Sequence, residues 1–462
     1  MTAQRLDTAY LKVLERADIE GADLIRFLYA DHGGIVRGKA SSRGRLAERL
    51  KTGIGHTVGM MAMSMMDTLI PVEGMGPVGE VRIVPDPATF AMLPYAPGAA
   101  AMCADLVRLD GEPWEACPRS FLKQAIDELA RDGYALAAAF EPEFTLGRRV
   151  PDADGGPDRL VPLDDSLCYS ATGFHLAHDF TVALLRAFEA QGLRVEHYYP
   201  ENGHGQQEVS IRHAPALRAA DNHVFFRETV RAAAFKQDLW ASLAPKPIPD
   251  QAGNGCHLHV SLWSADESRN LFYDPAGRYG LSDVGYHFIG GLLAHLPALL
   301  ALTAASVNSY RRLAPKMWSS AYACYGMDNR EAAVRICSTL RGDTEGSTNI
   351  ELKPSDSSAN PYLALGGVIL AGLDGVRTGA DPGEAVNVDP ADLSEDKRSR
   401  LGIRRLPTSL AEALDALERD DLFMEALGPL RRAGYLAVKR SDIEAFSQHD
   451  AAFECFHHFT KI

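Results

Sequence analysis

The strongest constraint on this chain is a set of carboxylates and imidazoles recurring two residues apart in segments that read as strands. The run Glu201-Asn202-Gly203-His204-Gly205-Gln206-Gln207-Glu208 places two carboxylates around a glycine-rich bend. Its partners are Glu141-Pro142-Glu143-Phe144, His257-Leu258-His259-Val260-Ser261 and Glu351-Leu352-Lys353. Residues two apart on an extended strand project from one face. A single such pair describes any solvated strand. Several of them, set in apolar or β-prone runs such as Ala137-Ala138-Ala139-Phe140, predict a polar cavity walled by strands. Crowding glutamates around a cavity is costly unless cations neutralise them. Oxygen donors with an imidazole suit Mg²⁺ or Mn²⁺ better than a thiolate-seeking metal. Salt bridges on a sheet surface are the plainer alternative.

With 462 residues and 46% hydrophobic content, the chain can bury a large core and has the length for more than one domain. A net charge of −14 argues against a nucleic-acid backbone as partner. No uncharged apolar run is long enough to span a bilayer; Phe288 to Leu302 comes closest, yet it contains His295 and Pro297. The start, Met1 to Asp7, lacks a signal-peptide core. Seven cysteines, odd in number and without a C-x-x-C, point to reduced thiols in the cytoplasm. Cys256, beside His257, reads as a small buried hydrophobe rather than a nucleophile.

Local patterns predict an α+β chain. Thr8 to Ala17 reads as a helix, and Leu24 to Tyr29, the turn Asp31 to Gly34 and Ile35 to Lys39 read as a hairpin. Strands follow around Val81 to Val84 and Met102 to Leu106. Turn residues Asp110 to Pro113 precede a helix over Pro118 to Arg131, giving a small mixed β domain over 1–112 and a larger domain over 113–462. Later helices are expected over Phe174 to Gln191, Leu217 to Leu243, Val284 to Thr303 and Ser409 to Glu418, with a surface loop over Thr378 to Lys397.

The ordered motifs F-E-P-E-F (140–144), E-x-G-x-G-Q-x-E (201–208), G-x-G-x-H-x-H-x-S (253–261), N-S-Y-R-R-L-x-P (308–315), N-R-E-A-A-V-R-I (329–336) and E-L-K-P-S-D-S-S-A-N-P-Y (351–362) together resemble the glutamine synthetase superfamily, from about Leu24 to the C-terminus. The resemblance implies an N-terminal β-grasp domain and a catalytic domain whose antiparallel sheet lines the active site. It implies ATP-dependent phosphorylation of the γ-carboxylate of L-glutamate, followed by attack of an amine on the acyl phosphate. Carried over by motif, Glu143, Glu201 and Glu208 would hold a metal beside glutamate, and Glu141, His257 and Glu351 a metal beside the ATP phosphates. His259, Ser261, His213, Arg330 and Arg335 would meet ATP or the transferring phosphate, while Arg312, Gly253 and Lys353 would meet glutamate. Two cations bridging nucleophile and nucleotide are what phosphoryl transfer requires.

Departures from the family pattern concentrate at the acceptor. Where glutamine synthetases carry a catalytic glutamate, Ala314-Pro315-Lys316-Met317-Trp318-Ser319 places Trp318, which cannot take a proton. Lys353 stands for an arginine and Ala252 for an asparagine, and Glu384 to Pro390 lacks the adenylylated tyrosine of some bacterial members. Gly59 to Leu69 holds five of the twelve methionines where the family has a loop reaching a neighbouring subunit's site. Met66, Met317 and Trp318 would then form an apolar amine pocket, with Asp67 near the family's ammonium-binding aspartate. Packing of the first domain is the alternative for the methionines. The chain is most similar to the γ-glutamyl-amine ligase branch that makes γ-glutamylanilide or γ-glutamylisopropylamide. Ethanolamine or polyamine ligation, or ammonia use, are the rival readings. A polyamine site should show extra carboxylates near Trp318, where Lys316, Ser319 and Ser320 stand instead. A non-catalytic relative would be expected to lose metal ligands. The resemblance also implies a cytoplasmic homo-oligomer, a dodecamer of two stacked hexamers.

Overall fold

The computed structural model describes residues 3–151 and 158–462. Met1 and Thr2, part of the segment expected to lack a signal-peptide core, lie outside the described residues. After the helix Ala3–Ile19, the strands β1 (Leu24–Ala30), β2 (Val36–Ser42), β3 (Ile54–Thr57), β4 (Glu80–Pro85), β5 (Ala91–Met92) and β6 (Ala99–Val107) build one sheet in the order β2-β1-β6-β4-β3, with β5 on β6. β1 and β6 run parallel and the other pairs antiparallel. Alternation drives the packing: Ile25, Phe27 and Tyr29 of β1 turn inward against Val13 and Ala17 of the helix.

The second sheet contains β7 (Tyr134–Val150), β8 (Arg159–Pro162), β9 (Val195–Pro200), β10 (Gln206–Ile211), β11 (Ala214–Pro215), β12 (Trp240–Ser242), β13 (Cys256–Ser264), β14 (Tyr322–Met327), β15 (Ala332–Ile336), β16 (Ile350–Leu352) and β17 (Arg404–Arg405). Its main path is β17-β14-β15-β16-β13-β7-β10-β9. It is antiparallel as expected except at one place. Residues 328–331 return the chain so that Tyr322 lies beside Ala332, and β15 runs parallel to β14.

Two apolar helices, Asp283–Thr303 and Pro361–Thr378, pack closely within the main core. They touch through glycine: a Cβ on Gly291 would sit 2.1 Å from the Ala371 carbonyl oxygen and 2.6 Å from the Gly375 nitrogen. By length and composition Asp283–Thr303 is the one helix among the described residues that could cross a membrane, but 61% of that window is buried in the protein.

Two expected helices are corrected. Phe174 to Gln191 is divided into Ala171–Leu176 and His178–Ala190, because Ala177 leaves helical geometry at φ −98°, ψ 6°. The helix expected to reach Leu243 ends at Phe235; Asp238 turns the chain with φ +54°, and Trp240–Ser242 joins the sheet against Gly147, Leu146 and Thr145. The tertiary strand pairing outweighs the local helical pattern there. The expected loop over Thr378 to Lys397 holds a short 3₁₀ turn, Pro390–Asp392, and ends in the helix Glu395–Arg400.

Arg119 joins the two sheets' domains. Its guanidinium donates to both oxygens of Asp221 at 2.9 and 2.8 Å, to Asp105 at 3.1 Å and to Asp86 at 2.7 Å. Asp86 and Asp105 come from the first sheet's strands and turns, while Asp221 lies on the helix Ala216–Phe235 and also accepts from the Tyr362 hydroxyl at 2.7 Å. Arg119 and Asp221 are both buried.

Candidate active site

Strand register assembles the polar face. Arg335 of β15 pairs with Glu351 of β16, Glu351 pairs with His259 of β13, His257 pairs with Glu141 of β7, and Glu143 pairs with Glu208 of β10. The functional side chains thus step diagonally across five adjacent strands on one face, because each segment repeats with period two. Glu201 sits in the bend between β9 and β10, where its carboxylate accepts from the Tyr169 hydroxyl at 3.4 Å.

Inside this face the contacts divide into two ends. At one end His259 Nε2 is 3.3 Å from Glu141 and 4.0 Å from Glu351, and Arg335 bonds Glu351. Lys353 Nζ lies 3.3 Å from the same carboxylate. At the other end Glu143 accepts from Gln206 Nε2 at 2.6 Å and from the Gly255 N–H at 3.0 Å, and Tyr199 bonds Glu208. His257 connects the ends: its Nδ1 is 3.4 Å from Glu141 and 3.2 Å from Glu351, while Nε2 is 3.1 Å from Arg312. A Cβ at 255 would displace the site's own side chains, since it would lie 2.5 Å from Arg312 Nη2, 2.8 Å from His257 Nε2 and 3.1 Å from Glu143.

The two ends differ in their electrostatics. Burial pushes Glu208 well above the usual carboxylate range, with Glu141 and Glu143 adding in the same sense. Burial also raises Glu143 and Glu201. Burial would raise Glu141 too, but hydrogen bonds with His257 and His259 hold it well below that range. Glu351 is likewise held low: burial is outweighed by Lys353, His257, His259 and Arg335. The Glu143, Glu201 and Glu208 end is therefore a cluster of carboxylates raised by burial, with an oxygen-rich donor set suited to a hard divalent ion. Two groups of donor atoms lie within 4.8 Å of one another: Glu141, His197 and Glu208, and Glu141, His259 and Glu351. Here Glu141 is common to both groups, and His197 and His259 join where the motifs suggested His257 alone.

The other sequence candidates fall as follows. Ser261 is buried and accepts from the Trp263 indole at 2.9 Å. Gly253 packs against Arg312, with its position closed to a Cβ by the Pro245 carbonyl at 2.4 Å. Arg330 and His213 are exposed, the latter beside Arg212 and Glu196. Asp67 is exposed, has φ +57° and lies 3.5 Å from Arg37. Of the nearby methionines Met61 and Met65 are buried, whereas Met66 is half-buried. Met65 is pinned from both sides, its N–H donating to Asp442 at 2.9 Å and its carbonyl accepting from Lys461 at 2.7 Å. Trp318 and Met317 are 64% and 42% exposed.

Sequence reasoning missed two groups. His197 and Tyr199 lie on β9 opposite Ser210 and Glu208, and the alternation Val195-Glu196-His197-Tyr198-Tyr199 held that signal. Glu331 is buried and accepts the backbone N–H of Trp318 at 2.9 Å. The expectation that no carboxylate stands near Trp318 is thereby corrected; the fold supplies one from 13 residues downstream.

A sheet that gathers buried carboxylates and imidazoles on one face defines a candidate divalent-metal enzyme, and comparison with known proteins makes the assignment. Residues 8–114 match the glutamine synthetase N-terminal domain and residues 115–457 the glutamine synthetase catalytic domain. The chain is 36% identical over 422 residues to gamma-glutamylpolyamine synthetase GlnA3 of Streptomyces coelicolor, covering 91% of this chain and 89% of that one. It is 33% identical to glutamine synthetase of Halobacterium salinarum, covering 96% and 94%. A solved structure described as a GmaS/ADP complex superposes with a TM-score of 0.83 at 29% identity, covering 96% and 98%. The chain belongs to the glutamine synthetase family and is an ATP-dependent γ-glutamyl ligase of that type.

Proposed function

We propose that the chain joins the γ-carboxylate of L-glutamate to an apolar primary amine, aniline-like or isopropylamine-like, through γ-glutamyl phosphate. The observation that carries this reading is the exposed pair Trp318 and Met317, standing where an ammonia-using relative needs a carboxylate. Glu143, Glu201 and Glu208 would hold one divalent ion, Mg²⁺ or Mn²⁺, and Glu141, His257 and Glu351 a second, with His259 placed to join or orient them. Bound there, such ions supply charge neutralisation for phosphoryl transfer. Arg312, backed by Gly253 and Lys353, grips glutamate; Arg335, Arg330, Ser261 and His213 serve the nucleotide side.

Aniline is neutral at pH 7 and can attack an acyl phosphate directly, whereas an alkylamine must first lose a proton. Polyamine ligation is the second reading. Glu331 beside Trp318 favours it, as does the likeness to a gamma-glutamylpolyamine synthetase. Phosphate release with glutamate, ATP and a panel of aniline, isopropylamine, ethanolamine, putrescine, spermidine and ammonium tests both. Highest kcat/KM for an apolar amine supports the first reading, and highest for a polyamine replaces it with the second. The quaternary proposal is a cytoplasmic dodecamer of two stacked hexamers in which Asp67 and Met66 reach a neighbour's site; sedimentation as a fully active monomer would overturn it.

A further inference from the structure

Formation of an amide from a primary amine releases a proton from nitrogen, and Trp318 cannot accept it. The loop around Trp318 is held in an unusual shape: Lys316, Trp318 and Ser320 all have positive φ, at +63°, +53° and +67°. Left-handed conformations of such residues are strained and persist only where surrounding contacts fix them. Ser319 and Ser320 hydroxyls tie the loop to the Arg312 and Ala332 carbonyls, both at 2.7 Å. Glu331 Oε1 takes the Trp318 N–H.

Glu331 is the last residue of the returning segment before β15, at the end of the working face. Arg335 of β15 faces Glu351 of β16, and the Lys353 N–H donates to the Ala333 carbonyl at 3.0 Å, two residues from Glu331. Lys353 lies two residues beyond Glu351 in the same direction, toward the Arg312 end. The groups acting on Glu331 come from three elements: the backbone N–H groups of Lys316 and Trp318 in the loop, Lys353 after β16, and Asp389 of the segment that Asn329 ties through the Val386 and Val388 carbonyls. Burial raises its carboxyl, Asp389 adds to the rise, and Lys353 opposes it.

We infer that Glu331 is the proton acceptor for the attacking amine, a catalytic role that resting on Trp318 and its neighbours alone would leave unfilled. The inference rests on the reading that a primary amine is the acceptor. In the step, the amine nitrogen attacks the γ-carbonyl carbon of γ-glutamyl phosphate, the new N–C bond forms, and the C–O bond to phosphate breaks. Phosphate leaves with the electron pair. The nitrogen's surplus proton passes to the Glu331 carboxylate and then to solvent; an amine bound as its ammonium ion loses a proton by the same route before attack.

The test uses the full-length protein as wild type and as Glu331→Gln, whose amide oxygen still accepts the Trp318 N–H. Each is assayed with the best amine of the panel and with hydroxylamine, which is largely neutral and nucleophilic at pH 7. Expected for Glu331→Gln is a loss of about 100-fold or more in kcat with the amine. Formation of γ-glutamyl hydroxamate should remain within about three-fold of wild type. Amine ligation close to wild type overturns the inference, and so does a parallel loss with both nucleophiles, which marks a structural role. If the Gln variant does not fold, Glu331→Asp is judged by the same ratio of amine to hydroxylamine rates. Should wild type prefer ammonium, the apolar-amine reading fails, yet the ratio is measured unchanged with ammonium and still decides the role of Glu331.

Discussion

The guanidinium of Arg312 lies 3.1 Å from Nε2 of His257, whose Nδ1 is within 3.4 Å of both Glu141 and Glu351. A guanidinium has no acceptor, so Nε2 supplies the lone pair and the proton sits on Nδ1, toward the carboxylates. Burial, with Lys353 nearby, lowers the pKa of His257, which suits this neutral form. The residue proposed to grip glutamate and the residues proposed to hold a cation therefore share one imidazole.

That sharing predicts the behaviour of Arg312 variants. Arg312→Lys keeps a charge but loses the fork that can span a substrate carboxylate and His257. Glutamate KM should rise by about ten-fold or more, in line with the loss of about 1.5–3 kcal/mol typical of a hydrogen bond to a charged group. The Mg²⁺ dependence should change in the same variant, because His257 is freed. Steady-state titrations of glutamate and Mg²⁺ check this; unchanged values for both would refute it.

The domain clamp gives a stability prediction. Arg119→Met leaves Asp221, buried and shared with Tyr362, without its cation. Breaking a buried pair from one side costs about 3–5 kcal/mol. Chemical denaturation should show a lower midpoint in Arg119→Met, and Arg119→Met combined with Asp221→Leu should recover part of the loss. A denaturation curve equal to wild type would show that the clamp carries no net stability.

Much of the polar face was legible in the sequence because period-two spacing and strand register are the same information: Glu141 with Glu143 and His257 with His259 needed only extended backbone to share a side. The elements misread were those settled by distant contacts. Trp240–Ser242 looks helical in its neighbourhood but is captured by the edge of β7. Glu331 lay inside a motif already noted, yet its meeting with Trp318 depends on the returning segment 328–331, which sets β15 parallel to β14. Local spacing carries no sign of that return.

Acidification should destabilise the fold through buried neutral histidines. Burial pushes His32 down to about 3 and His56 and His458 down to about 4. In the unfolded chain they titrate near about 6.5. A histidine with a depressed folded pKa contributes stability that is complete above about 6.5 and is lost as pH falls toward its folded value. His458, whose Nδ1 approaches the Glu454 carbonyl at 2.8 Å, contributes on the order of 3 kcal/mol by this route. Asp442 acts in the opposite sense. Burial raises it to about 6, so its contribution is present below the unfolded value near about 4 and lost as pH rises through 6. The raised carboxyls of Glu143, Glu201 and Glu208 act in the same sense as Asp442, so the histidine contribution is isolated by comparison: Tm of wild type should fall further from pH 7 to pH 5 than Tm of His458→Gln. A Tm difference between the two that does not change with pH would contradict the assignment.

The acceptor prediction tests the departure that most separates this chain from ammonia users. The Trp318 side chain is exposed while its N–H is anchored to Glu331, so exchanging the indole leaves the anchoring hydrogen bond in place. Trp318→Glu adds a carboxylate beside Glu331, which favours a small cation, and removes the apolar face that an aryl or branched alkyl group would cover. Loss of one such contact is worth about 1–3 kcal/mol, or about 10–200-fold in discrimination. The ratio of kcat/KM for the best apolar amine to that for ammonium should fall by at least about ten-fold. Loss of activity with both acceptors would place the effect on loop structure, and hydroxamate formation measured alongside separates that case. An unchanged ratio in an active Trp318→Glu enzyme would show that the indole does not contact the acceptor, and the amine would then have to be recognised elsewhere on the face.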